Sequence, residues 1–189
     1  VPPTIALLDA NILYAAHLRS LLLYIGIAGL FQARWSNQIQ EEWLSNLLRN
    51  RPDLTAAQLE RTRQLMDKAI PEAVVTGYEN LIPSLSLPDE ADRHVLAAAI
   101  QSGANIIVTR NLVDFPAEAL HRFHIRALNP DDFVMQFLRT APVRVKQAAE
   151  THRLSLINPP LTGGQYRERL AAEGLSKTAA TLRELDLQP

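Results

Sequence analysis

The chain has 189 residues, a net charge of −1 and no cysteine, which excludes disulfides and thiolate metal sites and removes any bulk electrostatic case for binding a polyanion. With 47% hydrophobic and 21% charged residues it can bury a substantial core and fits one domain with a small appendage. The longest apolar stretch, Leu21 to Phe31, is too short to span a bilayer, and no charged and apolar leader opens the sequence, so an intracellular, cytoplasmic location is expected.

Ile5 to Leu8 reads as a short strand buried on both faces, of the kind found inside a parallel sheet, and Asp9 follows it directly. A carboxylate at that end of a buried strand stands where open α/β sheets bind ligands. The pattern then turns helical from about Ile12 to Ala28, with Gly29 as the stop. Phe31 to Trp35 is extended. Ser36 is the N-cap of a helix to about Arg49, and Thr55 with Gln58 forms a capping box for a helix to about Ala69. Ala73 to Thr76 reads as a strand, Asp89 to Ser102 as a helix ended by Gly103, and Asn105 to Val108 as a second buried strand. A short helix at Ala117 to Arg122, a strand at Ile125 to Leu128 and a helix from Pro130 to Leu138 follow.

This alternation predicts an α/β domain over residues 1–140 with a mostly parallel sheet. Beyond Pro142 only helices are predicted, at Val143 to Leu154, Gln165 to Ala172 and Lys177 to Leu185, so residues 141–189 read as a small helical extension.

Four acids stand out. Asp9 is the first. Asp92 shares a helix face with Val95, Leu96 and Ala99, which puts it on the stripe entering the core, while Asp89 and Glu90 suffice to complement the helix dipole. Glu42 lies on a polar stripe beside the apolar face through Ile39, Trp43 and Leu47, where a plain solvated stripe also accounts for it. Asp114 follows the second buried strand as Asp9 follows the first, although Asn111 and Asp114 are equally ordinary turn residues. Carboxylates sharing a pocket repel one another unless a cation neutralises them, and an all-oxygen ligand set suits Mg²⁺ or Mn²⁺ and phosphodiester hydrolysis. His94 reads as a packed or hydrogen-bonded side chain, and the other histidines lack metal-ligand spacing.

Leu7-Leu-Asp9-Ala-Asn11, Glu42-Trp43, Asp92-Arg-His-Val-Leu-Ala-Ala-Ala99 and Ile107-Val-Thr109 through Asp114-Phe-Pro116 together resemble the PIN-domain family over residues 4–138. The resemblance is strongest to toxin ribonucleases of the VapC type that carry a helical C-terminal extension. It implies a three-layer α/β/α fold and a Mg²⁺- or Mn²⁺-dependent ribonuclease, commonly neutralised by a cognate antitoxin protein and often a homodimer. In its terms Asp9 and Asp92 are the main metal ligands, Glu42 orients or deprotonates water, and Thr109 orients the acids. Asn11 supports the first motif. Where many members have an acid two residues after the threonine, this chain has Asn111, so Asn111 or Asp114 is expected to complete the metal site or brace the loop. Arg93 and Arg110 are candidate phosphate contacts, though surface pairing accounts for both. Two other readings remain open: a non-catalytic PIN scaffold binding RNA or a protein, and a haloacid-dehalogenase-like phosphatase, against which Asn11-Ile-Leu replaces that fold's acid-Gly-Thr.

Overall fold

The computed structural model describes residues 3–186. Five strands form one sheet in the order β3-β2-β1-β4-β5, and every pairing is parallel. They are β1 Ile5–Leu8, β2 Gln32–Ser36, β3 Val74–Val75, β4 Ile106–Val108 and β5 Arg126–Leu128. In the central register Ala6 pairs with Ile106 and Leu8 with Val108, while Ile5 and Leu7 face Gln32 and Arg34 on the other side. Ala6, Leu7, Leu8, Ile107 and Val108 are fully buried, as continuous apolar runs covered on both faces must be.

The helices are α1 Ala10–Leu13, α2 Ala16–Ile27, α3 Asn37–Asn50, α4 Ala56–Ala69, α5 Arg93–Gln101, α6 Ala117–Leu120, α7 Pro130–Thr140, α8 Pro142–Ser155, α9 Gly163–Ala172 and α10 Ser176–Asp186. The fold class is three-layer α/β/α with a parallel central sheet, followed by the helical extension α7–α10.

Two compact units emerge. One takes the chain up to Tyr14 together with Phe31–Asn129, and the other takes Ala15–Leu30 together with everything from Pro130. The first contains the sheet, with α5 packed on β1, β2 and β4, and α3 on β2 and α4. Ser36 caps α3 by accepting from Ile39 N at 3.2 Å, and the capping box of Thr55 and Gln58 closes the start of α4. In the second unit α2 packs on α8 and α9, α7 on α8 and α10, and α9 on α10, around Leu18, Leu22, Val145, Leu170 and Leu182. No helix among the described residues is long and apolar enough to cross a membrane.

Two expected elements differ. The single helix from Ile12 to Ala28 is broken, because Ala15 is extended and α2 restarts at Ala16. The free N–H groups of that restart are met from far along the chain. Glu173 accepts from Leu18 N at 2.7 Å and from His17 N at 3.4 Å, and stands 2.8 Å from His17 Nδ1. The helix expected over Asp89 to Ser102 begins instead as a 3-10 turn, Glu90–Asp92, capped by Asp89, whose carboxylate accepts from Ala91 N at 2.8 Å. Asp92 therefore stands at the junction just before α5 rather than one turn inside a helix.

Candidate metal centre

The sheet changes direction between β1 and β4: chain order runs outward through β2 and β3 on one side and through β5 on the other. Such a switch point leaves a crevice beyond the carboxyl ends of the two strands. Asp9 and Thr109 are the residues that leave β1 and β4 there, tied to the ladder by Asp9 N to Val108 O at 3.1 Å and Thr109 N to Leu128 O at 3.0 Å.

Asp9 is 6% exposed, and its carboxylate is held on both oxygens. Oδ1 accepts from Ala10 N at 2.7 Å, which also caps α1. Oδ2 accepts from Thr109 Oγ1 at 2.7 Å and from Asn11 Nδ2 at 2.6 Å. Asn11 in turn bridges the strand tips, donating to Thr109 Oγ1 at 3.0 Å and accepting from Arg110 N at 3.0 Å. Thr109 Oγ1 also accepts from Asn111 N at 3.0 Å. Burial pushes the Asp9 carboxyl above its ordinary range, the Thr109 and Ala10 hydrogen bonds oppose that, and the charge of Glu42 adds to it.

Asp92 has no such donors. Its Oδ2 is buried without a hydrogen-bond partner. Desolvation, followed by the charges of Asp9, Asp89 and Asp114, pushes its carboxyl up to about 6. Asp89, Asp92 and Asp114 each bring a carboxylate oxygen within 4.8 Å of the other two. Asp114 ends a 3-10 turn, Leu112–Asp114, anchored by the buried Phe115, and Asn111 donates its side-chain amide to the Asp114 carboxylate.

Glu42, half-buried on α3, meets His94 of α5: His94 Nε2 lies 2.9 Å from Glu42 Oε1, and Gln38 Nε2 lies 3.3 Å from the same oxygen. His94 is 4% exposed, and its Nδ1 has no partner.

Of the residues singled out in the sequence, Asp92 and Asp114 thus meet directly, Asp9 acts electrostatically on Asp92 and feels Glu42, and Thr109, Asn11 and Asn111 form the bracket around the strand tips. One participant lies outside the sequence reading: Asp89 joins the acidic group, although helix-dipole chemistry accounts for it, and its spacing of three from Asp92 is the available signal. His94 is packed and paired as its sequence setting suggests, but no spacing announces Glu42 as its partner.

The donor set fits a hard divalent cation. A buried carboxylate oxygen with no donor, among other carboxylates, is costly unless a positive charge faces it, and oxygen ligands without His or Cys suit a hard divalent cation rather than zinc.

Acids gathered at the switch point of a parallel α/β/α sheet make a candidate metal centre, and the comparisons give the family that carries it. A family model described as the PIN domain matches residues 6–113, more than half of the chain, and the chain belongs to the PIN-domain family. A second model, the VapC50 C-terminal domain, matches residues 130–184, which cover α7–α10 up to the last turn. The chain is 37% identical over 113 residues to the candidate ribonuclease VapC50 of Mycobacterium tuberculosis (strain H37Rv), a match that covers 60% of this chain and just under two thirds of that relative, 66%. No solved structure matches the chain.

Proposed function

We propose that this chain is a Mg²⁺- or Mn²⁺-dependent ribonuclease hydrolysing RNA phosphodiester bonds, and the toxin of a toxin–antitoxin pair acting in the cytoplasm. The observation that carries the proposal is the donorless, buried Asp92 Oδ2 facing two further acids, a carboxyl already pushed up to about 6. Membership of the PIN family and the likeness to VapC50 support RNA as substrate and a cognate antitoxin, with a homodimer as the proposed assembly. Residues 1–140 are the proposed nuclease domain and 141–189 the helical extension.

In this reading Asp9, Asp92 and Asp114 are metal ligands, joined by Asp89, and Glu42 orients the attacking water and takes its proton. When bound, the cation polarises that water and stabilises the charge on the phosphate and the leaving oxygen. Thr109 and Asn11 hold the Asp9 carboxylate in one orientation, so no reordering is needed when the substrate arrives. Asn111 braces Asp114 by its amide, and Arg93, which donates to the Glu90 carbonyl and carboxylate at 3.1 and 3.0 Å, and Arg110 are the candidate phosphate contacts. The phosphatase reading has no support once the family is known.

Incubation of the purified protein with RNA, with Mn²⁺ or Mg²⁺ and with EDTA, tests the proposal beside Asp9→Asn and Asp92→Asn. Metal-dependent cleavage lost in both variants supports it. Cleavage that survives both substitutions contradicts the mechanism, and RNA binding without cleavage favours a non-catalytic scaffold.

A further inference from the structure

We infer that His94 is a positioning residue for Glu42: its buried imidazole fixes one oxygen of that carboxylate and so sets the other toward the metal centre's water. The inference rests on the metal-dependent reading above and deepens it. Glu42 comes from α3 and is 38% exposed at the side chain, so by itself a long flexible glutamate samples many orientations. His94 comes from α5, two residues after Asp92, and its side chain is 5% exposed.

Nε2 lies 2.9 Å from Oε1, within charge-pair range of the carboxylate. Nδ1 has no partner, so no other polar group competes to turn the ring, and packing alone fixes its plane. Glu42 Oε1 is thereby engaged twice, by His94 and by Gln38, while none of the described contacts engages Oε2. Glu42 and His94 also act with opposite sign on the Asp9 carboxyl, which places the pair close to the switch point. One short stretch of chain, Asp92 to His94, thus carries both an acid of the cluster and the clamp on the acid from α3. Outer partners of this kind typically govern metal affinity or activity by 10- to 100-fold.

The test uses the full chain, Mn²⁺ titration calorimetry and single-turnover RNA cleavage, with thermal melting as a check on folding. His94→Leu is expected to weaken Mn²⁺ binding or slow cleavage at saturating Mn²⁺ by about 10-fold or more, with KM for RNA unchanged. His94→Gln, which keeps an Nε2 donor, is expected to restore most of the loss. In a Glu42→Ala background His94→Leu should change nothing further, since it acts only through that carboxylate. If the leucine variant fails to fold, His94→Asn, polar but too short to reach Glu42, replaces it in the same scheme. Unchanged affinity and rate, or a full effect persisting without Glu42, would overturn the inference. Absence of Mn²⁺ and Mg²⁺ binding by the unsubstituted protein would instead overturn the metal reading, and the inference with it.

Discussion

Replacing Asp92 by asparagine should stabilise the metal-free protein while abolishing its response to metal. The Asp92 carboxyl moves from an ordinary 3.8 to about 6, first through desolvation and then through Asp9, Asp89 and Asp114. The native state therefore binds more protons than the unfolded chain between those two values, and stability falls as pH rises through that window. At about 1.4 kcal/mol per pH unit, the upper bound on the cost of ionised Asp92 at neutral pH is about 3 kcal/mol. Asp92 is only half-buried, so solvent screening reduces this to about 1 kcal/mol. An asparagine removes the repulsion and supplies an amide donor where Asp92 Oδ2 has none to accept from. For a chain of this size 1 kcal/mol corresponds to about 2–4 °C in Tm. Thermal melting at pH 7.5 in EDTA should show Asp92→Asn above the parent by that margin. Excess Mn²⁺ should raise the parent and leave the variant unmoved. A variant that melts below the parent in EDTA, or a parent indifferent to Mn²⁺, would refute the argument that Asp92 is a strained ligand awaiting a cation.

Thr109→Val removes the hydroxyl that donates to Asp9 and accepts from Asn111 N, and should cost about 1.5–3 kcal/mol in urea denaturation, as loss of a buried bond to a charged acceptor does. Mn²⁺ affinity, measured by calorimetry, should weaken as pH falls through about 6, because protons compete for the raised Asp92 carboxyl. His152, fully buried against Tyr166 and pushed down to about 4 by burial and by His17, acts in the opposite sense. The unfolded chain binds its proton between 6.5 and about 4, so that stability is lost as pH falls through this range, and His152→Gln should flatten that part of the denaturation profile. Glu173→Ala removes the remote cap of α2 and should cost about 1–2 kcal/mol by the same denaturation assay.

What the sequence made legible was local. The runs Ile5 to Leu8 and Asn105 to Val108 read as buried strands because a parallel sheet covered on both faces leaves no alternation to confuse them, and they correspond to β1 and β4. Ser36 and Thr55 with Gln58 announced helix starts because capping acts over three residues. Asp9 stood out for the same reason: a charge at the tip of a buried strand needs an explanation within sight of the sequence. The interruption before α2 was hidden because its cap, Glu173, lies some 155 residues away. Asp89 was hidden by a sufficient local role as a cap and dipole partner, and only the meeting of two loops brings Asp114 to it. The pairing of Glu42 with His94 joins α3 to α5, and no spacing rule connects them.

We propose that Asp9, Asp92 and Asp114, joined by Asp89, hold a divalent cation at the switch point. The most direct measurement is an anomalous difference map from crystals of the protein equilibrated with Mn²⁺. A single strong peak is expected in coordination range of the Asp92 carboxylate and of at least one of Asp89 and Asp114, absent in crystals of Asp92→Asn. A map without density there at saturating Mn²⁺, or a peak that persists in the variant, would contradict it.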